Sequence, residues 1–351
     1  SIDCEYRGTP PLHLEASVLA AISGDGKETT QQQEAIVTVL AEQAGGKQGP
    51  VAAAAVARLA ALRSAMLDGN QQVPAARLAA LNQKIDRALV TAMAQSDPQT
   101  RREAFEALAF SKAPLSADVV TMVRENKDAT VGMGIIEEGA VLLAPPEEGQ
   151  PPRPSGGHPA AVPEVVTRVS GTLPSSSAPA NALSLVGACL HSAVPQVQQR
   201  AVDVLLASPS QQSLLVLSEA SGPARQLVVD QLAKASSPEL KSAMLRLMLL
   251  RPDPATLPKM LAAARDVPII VKGENDPLIS SLLVPHSTAS LEQLLEVLGR
   301  ADLSAVANSA SLKKAFETIA STQQNSKAIR TALLKLATAQ FHPPYEAPVK
   351  R

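Results

Sequence analysis

Apolar residues recur at intervals of three and four along most of this chain, which is the spacing of one face of an α-helix. The clearest run is Leu78, Leu81, Ile85, Leu89 and Met93, after Pro74. Before it, the same rhythm predicts helices over Leu12–Ile22, over the stripe Ala35, Ile36, Val39 and Leu40, and from Pro50 through Val56, Leu59, Leu62, Met66 and Leu67. Gly24 and Gly26, Gly45-Gly46 and Gly69 punctuate these segments. Glycine ends a helix readily because it alone enters the left-handed conformation without steric cost. After the Asp97-Pro98 break come a helix over Arg101–Phe110 and another carrying Val119, Val120 and Val123. Such short connections imply antiparallel neighbours. Thr130–Ala144 is apolar but holds Gly132, Gly134 and Gly139, so a short, glycine-broken helix is expected there.

The pattern stops at Pro145. Residues 145–180 are rich in Pro, Ser and Gly, with one apolar island at Val162–Val169, and are expected to be a linker or a long loop. Residues 1–144 before it read as an amino-terminal helical array and residues 181–340 as a second, better patterned one. Pro195, Pro223 and Pro238 open helices in the second array, with a further start flanked by Pro254 and Pro258. Proline suits the first turn, where its missing N–H would find no partner anyway. Pro268–Pro285 reads as irregular, Ser290 as the cap of a helix ending at Gly299, and Asp302 as the cap of a short helix through Val306. Leu312, Phe316 and Ile319, then Ile329, Leu333, Leu334 and Leu336, mark the last two helices, and residues 341–351 read as an extended tail.

Three helix starts are alike. Pro98 is followed by Thr100, Ala104 and Leu108; Pro195 by Val197, Ala201 and Leu205; Pro238 by Leu240, Met244 and Met248. The last two prolines lie 43 residues apart. Recurrence at such a period signals stacked helix pairs, each burying its stripe against the next. The stretches Asp97–Leu108, Val194–Leu205 and Ser237–Met248 resemble the HEAT-like (armadillo-type) helical repeat family. That resemblance implies an all-α superhelix, or solenoid, of antiparallel pairs that binds other proteins. It also implies a ladder of Asp and Arg between repeats. Only the first stretch has both residues, Asp97 and Arg101; the others place Val194 with Gln198 and Ser237 with Lys241.

Composition sharpens the fold class. Hydrophobic residues make up 45% of the 351, but aromatics only 2%, so the core is built of Ala, Leu and Val. Ala and Leu favour helix, whereas a sandwich or barrel would draw on β-branched and aromatic residues. With a net charge of −1, cations spread along the chain without a basic run, and few aromatics to stack on bases, nucleic acid is not an expected partner. No apolar stretch approaches the roughly 18 residues of a membrane-spanning helix. The many Gln, Ser, Thr and Pro residues lean towards an exported compartment. Cys4 and Cys189 could form one bridge or both be free, buried thiols being the commoner outcome.

Candidate chemistry is sparse. His13, His158, His191, His286 and His342 have no metal-ligand spacing, and no metal or cofactor is expected. Cys189 and His191 are two residues apart and diverge on a helix. The segment from Gly24 to Thr30 lacks the spacer of a phosphate loop, and Glu137-Glu138 and Glu147-Glu148 read as solvent-facing acids. Two segments suit a partner: Pro151, Pro152, Arg153 and Pro154 as a polyproline II ligand, and Phe341 with Tyr345 as aromatic anchors in the tail. The expectation is a non-catalytic scaffold for other proteins, including copies of itself. The alternative is a ligand-binding protein or enzyme with a site between the helical halves.

Overall fold

The computed structural model describes residues 30–46, 49–68, 75–144, 160–170, 173–176, 178–235 and 237–341. The described residues are all-helical apart from their connections, with one isolated parallel bridge between Ile270 and Asp302. The segments Leu12–Ile22 and Gly24–Lys27 lie outside them. Two compact units divide the chain: residues 1–161 with 176–208, and residues 162–175 with 209–351.

In the first unit the helices are α1 (Thr30–Ala44), α2 (Gly49–Asp68), α3 (Ala75–Ala92), α4 (Pro98–Ala109), α5 (Ala117–Glu125), α6 (Ala129–Leu143), α8 (Ala180–Leu190) and α9 (Pro195–Ala207). They form two rows, α1-α3-α5-α8 and α2-α4-α6-α9, and every helix but α5 also packs on partners in the other row. This is the stacked-pair plan expected from the periodicity. Its core is aliphatic, with Leu40, Leu59, Leu81, Ile85, Leu89, Leu108, Ile135 and Leu185 fully buried and Phe105 the largest side chain among them. Each such side chain contributes about 1.5–3 kcal/mol when removed from water.

The sequence is corrected at α6. The glycine-rich segment is an unbroken helix of 15 residues, Ala129–Leu143. An ideal Cβ at Gly134 would lie 2.2 Å from the Met93 carbonyl oxygen, and Cβ atoms at Gly132 and Gly139 would lie 2.6 and 2.5 Å from methyls of Val197 and Val186. The glycines let α6 pack against α9, α8 and the end of α3 at once. That packing outweighs the propensity cost of about 1 kcal/mol per glycine.

The second unit contains α7 (Glu164–Ser170), α10 (Gln211–Ser218), α11 (Gly222–Lys234), α12 (Pro238–Leu250), α13 (Leu257–Ala263), α14 (Pro277–Ser281), α15 (Thr288–Arg300), a 3₁₀ turn (Ser304–Val306), α16 (Ala310–Thr322) and α17 (Lys327–Phe341). One row is α11-α13-α15-α17; the other runs α10-α12-α14, with α7 on α10 and α12. The units divide the chain at other places than its composition does. The island at 162–169 belongs to the second unit through α7, α8 and α9 belong to the first, and residues 145–159 are not described.

Three smaller points also differ. Pro268–Pro285 is not wholly irregular, since Asp276 caps α14. Helix α15 is capped by Ser287 rather than Ser290, and Gly299 lies inside it. Helix α17 runs through Phe341, with Leu334 70% exposed rather than in the core stripe.

Candidate functional site

Buried arginines tie successive helices, but they are mostly not the expected ones. Asp97 caps its own helix, accepting from Thr100 N at 2.8 Å and from its hydroxyl at 2.6 Å. Those bonds hold its carboxyl below the usual range. Arg101 instead donates to the Gln95 and Ser96 carbonyls at 3.0 and 3.2 Å and to Glu137 on α6 at 3.1 Å. In the second unit, Arg225 donates to the Arg251 carbonyl at 2.9 Å and to Thr256 Oγ1 at 3.1 Å, with Asp253 at 3.9 Å. Arg246 grips Asp276 at 3.0 Å, the Ile270 carbonyl at 2.9 Å and Ser242. In the first unit, Arg63 makes a bidentate pair with Asp86, both about as buried. The missed signal is the dipeptide Asp-Pro, present at 97–98, 253–254 and 276–277. At 97 and 276 the Asp caps a helix that Pro starts, and at 253 and 276 the carboxylate meets an arginine from an earlier helix.

These arginines are consumed by structural bonds. Cys189 is likewise inward: its thiol faces the Gly132 carbonyl at 3.8 Å, and burial pushes its pKa to about 12. His191 is half-buried, its pKa lowered by burial and by nearby Arg124. His286 hydrogen-bonds the Ser281 carbonyl at 2.7 Å. Glu138 is buried beside Arg102 at 3.6 Å, not solvent-facing as expected, whereas Glu137 is half-exposed. Among the described residues no cluster of His, Cys, Asp and Glu could hold a metal ion, and no helix is long and apolar enough to cross a membrane.

An open groove of about 770 Å³ lies between α15 and α17, both in the second unit. Helix α15 contributes Glu292, Leu295, Glu296, Gly299 and Arg300; helix α17 contributes Lys327, Ala328, Thr331, Ala332, Lys335 and Leu336. Gly299, Ala328 and Ala332 keep the walls low, while Leu295 and Leu336 are buried at its base. Glu296 is occupied by Arg265 at 3.0 Å and Arg300 at 3.4 Å, and Arg300 also holds Asp266 at 2.7 Å. Lys327, Arg330 and Lys335 are exposed on α17, which carries no acid, and none of them forms an ion pair among the described residues. Leu334 stands among them. The site is thus a shallow groove with an apolar base beside a cationic ridge.

The residues singled out from sequence fall elsewhere. Pro151, Pro152, Arg153, Pro154 and Tyr345 lie outside the described residues, and so does the side chain of Phe341. The cationic face of α17 was missed because it becomes visible only when charges are summed by segment. Residues 300–351 hold eight Lys and Arg against three acids, and residues 1–46 hold seven acids against two bases.

No family model and no curated protein matches the sequence. Among solved structures, it is similar to a designed armadillo repeat protein at 12% identity, covering 94% of this chain and 99% of that one, with a TM-score of 0.21. An engineered protein matches at 14% identity over 93% and 98% of the two chains, with a TM-score of 0.23. Those scores are too low to transfer an arrangement of helices. The helical-repeat plan of each unit rests on its own two rows of packed helices.

Proposed function

We propose that this chain is a non-catalytic helical-repeat scaffold, and that its second unit takes an acidic, amphipathic segment of a partner chain in the groove between α15 and α17. The observation that carries this reading is the cationic ridge of Lys327, Arg330 and Lys335, without carboxylate partners among the described residues, beside a small-residue groove and an exposed Leu334. A helix laid in such a groove buries apolar side chains, while its acids meet the ridge. The charges set orientation and rate of encounter; the buried anchors supply most of the affinity.

Zero-length coupling of carboxylates to amines in native extracts, followed by mapping of the joined peptides, tests the reading. Lys327 and Lys335 should be joined to acidic residues of helical peptides in a partner. Gly299→Leu should abolish those products by filling the groove, since a Cβ there meets nothing within 4 Å and the fold has room for it. Products that persist unchanged in Gly299→Leu, or that never involve these lysines, would refute the groove.

A further inference from the structure

We infer that the groove's partner is a second copy of this chain, whose acidic amino-terminal stretch, residues 1–46, docks on the α15–α17 groove and its ridge. The inference rests on the groove reading above and names its occupant. Three observations support it. The first is charge: residues 1–46 carry a net −5 and residues 300–351 a net +5, while the chain as a whole is near neutral. Stretches of opposite charge on two copies attract each other, and like-charged stretches repel.

The second is the match of exposed faces. Helix α1 carries Glu34 and Glu42 and no base; α17 carries Lys327, Arg330 and Lys335 and no acid. Glu34 is engaged by Arg77 at 2.8 Å, whereas Glu42 is exposed and has no ion pair among the described residues. Val39 of α1 is 46% exposed and Leu334 of α17 is 70% exposed, so each face offers one large aliphatic group among polar ones. The third is sequence pattern: Leu12, Val18, Leu19 and Ile22 recur at the three-, four- and seven-residue intervals of an apolar stripe, within a stretch whose acids outnumber its bases.

The two surfaces differ, so the contact is heterologous. Each copy offers one acidic stretch and one groove, so two or more copies associate through this contact. Exposed ion pairs are individually weak and are screened over roughly 10 Å at 0.1 M salt. The assembly is therefore concentration-dependent and salt-sensitive, with an association constant falling by about tenfold between low and 0.5 M salt.

Sedimentation velocity on the full chain tests this. In low salt the mean mass should climb with concentration to that of two copies or more, and added salt should reverse it. The variant Lys327→Glu/Arg330→Glu/Lys335→Glu and the variant Asp25→Lys/Glu28→Lys/Glu42→Lys should each stay monomeric, with unchanged helical circular dichroism. Their equimolar mixture should associate again, because each supplies the complement the other lost. A wild type that remains monomeric at all concentrations, or an α17 variant that assembles like the wild type, would overturn the inference. Coupling of Lys327 to a different protein, with the pure chain monomeric, would overturn self-docking and leave the groove's role standing.

Discussion

Replacing Gly134 by alanine puts the packing of α6 to a quantitative test. Helix propensity alone favours the change by about 1 kcal/mol. The added Cβ, however, would lie 2.2 Å from the Met93 carbonyl oxygen and 3.2 Å from Arg101 Cδ. A carbon and a carbonyl oxygen need roughly 1 Å more than that first distance. The obstacle is backbone, so no rotamer change relieves it. The neighbouring Gln95 and Ser96 carbonyls are held by the Arg101 guanidinium, which in turn reaches Glu137 on α6. Relief therefore requires α6 to move away from the end of α3 against these bonds. Overpacking of this kind costs about 1–3 kcal/mol, and a rigid obstacle places it at the upper end. The net expectation is a loss of about 2 kcal/mol, a factor of about 30 in the folded-to-unfolded ratio. Gly299→Ala is the matched control: its Cβ meets nothing within 4 Å, so it should gain about 0.5–1 kcal/mol. Urea unfolding followed by helical circular dichroism measures both, read from the transition midpoint at unchanged slope. A Gly134→Ala protein as stable as the wild type, or equal losses at both sites, would refute the reasoning.

Arg246→Ala should cost about 3–5 kcal/mol by leaving Asp276 uncompensated where both side chains are 9% exposed, whereas replacing both residues by apolar ones should cost less; thermal unfolding of the single and double variants compares them. Glu106 has its pKa raised mainly by burial, with neighbouring Glu138 and Glu103 adding to it and Arg102 opposing. For an acid raised in the folded state, the favourable contribution is present below the unfolded pKa and is lost as pH rises through the folded one. Glu106→Gln should therefore stabilise the protein at neutral pH relative to wild type, with the difference vanishing in mild acid, as denaturation across pH would show. Cys189, with its thiol pushed up to about 12, should resist alkylation at pH 8 in the native protein and react only after unfolding, as timed mass spectrometry would record.

Much of the helical plan was legible because an aliphatic stripe and a proline start are local signals. Pro98, Pro195 and Pro238 do open helices, and Val197, Ala201 and Leu205 are buried as their spacing requires. The glycines of α6 misled because their local cost is visible in sequence, while the close approach of Val186, Val197 and Met93 is not. The arginine ties were hidden for the opposite reason. Arg246 and Asp276 lie 30 residues apart, so their pairing depends on how neighbouring pairs stack. The groove was invisible because Gly299, Ala328 and Ala332 are unremarkable until α15 and α17 are placed side by side. The cationic ridge could have been found by summing charge within segments rather than along the whole chain.

The membership of residues 162–175 in the second unit bears on how this protein can be divided. The polypeptide passes from one unit to the other after residues 161, 175 and 208. Val166 and Val169 of α7 are buried, and Gln211 N donates to the Pro174 carbonyl at 3.0 Å. A fragment beginning at residue 209 would lack that piece and expose the side of α10 and α12 it covers. One ending at residue 161 would lack α8 and α9, and with them the valines that α6 accommodates through its glycines. No single cut yields two intact halves, so recombinant dissection requires a graft of 162–175 ahead of residue 209 and a short bridge from 161 to 176.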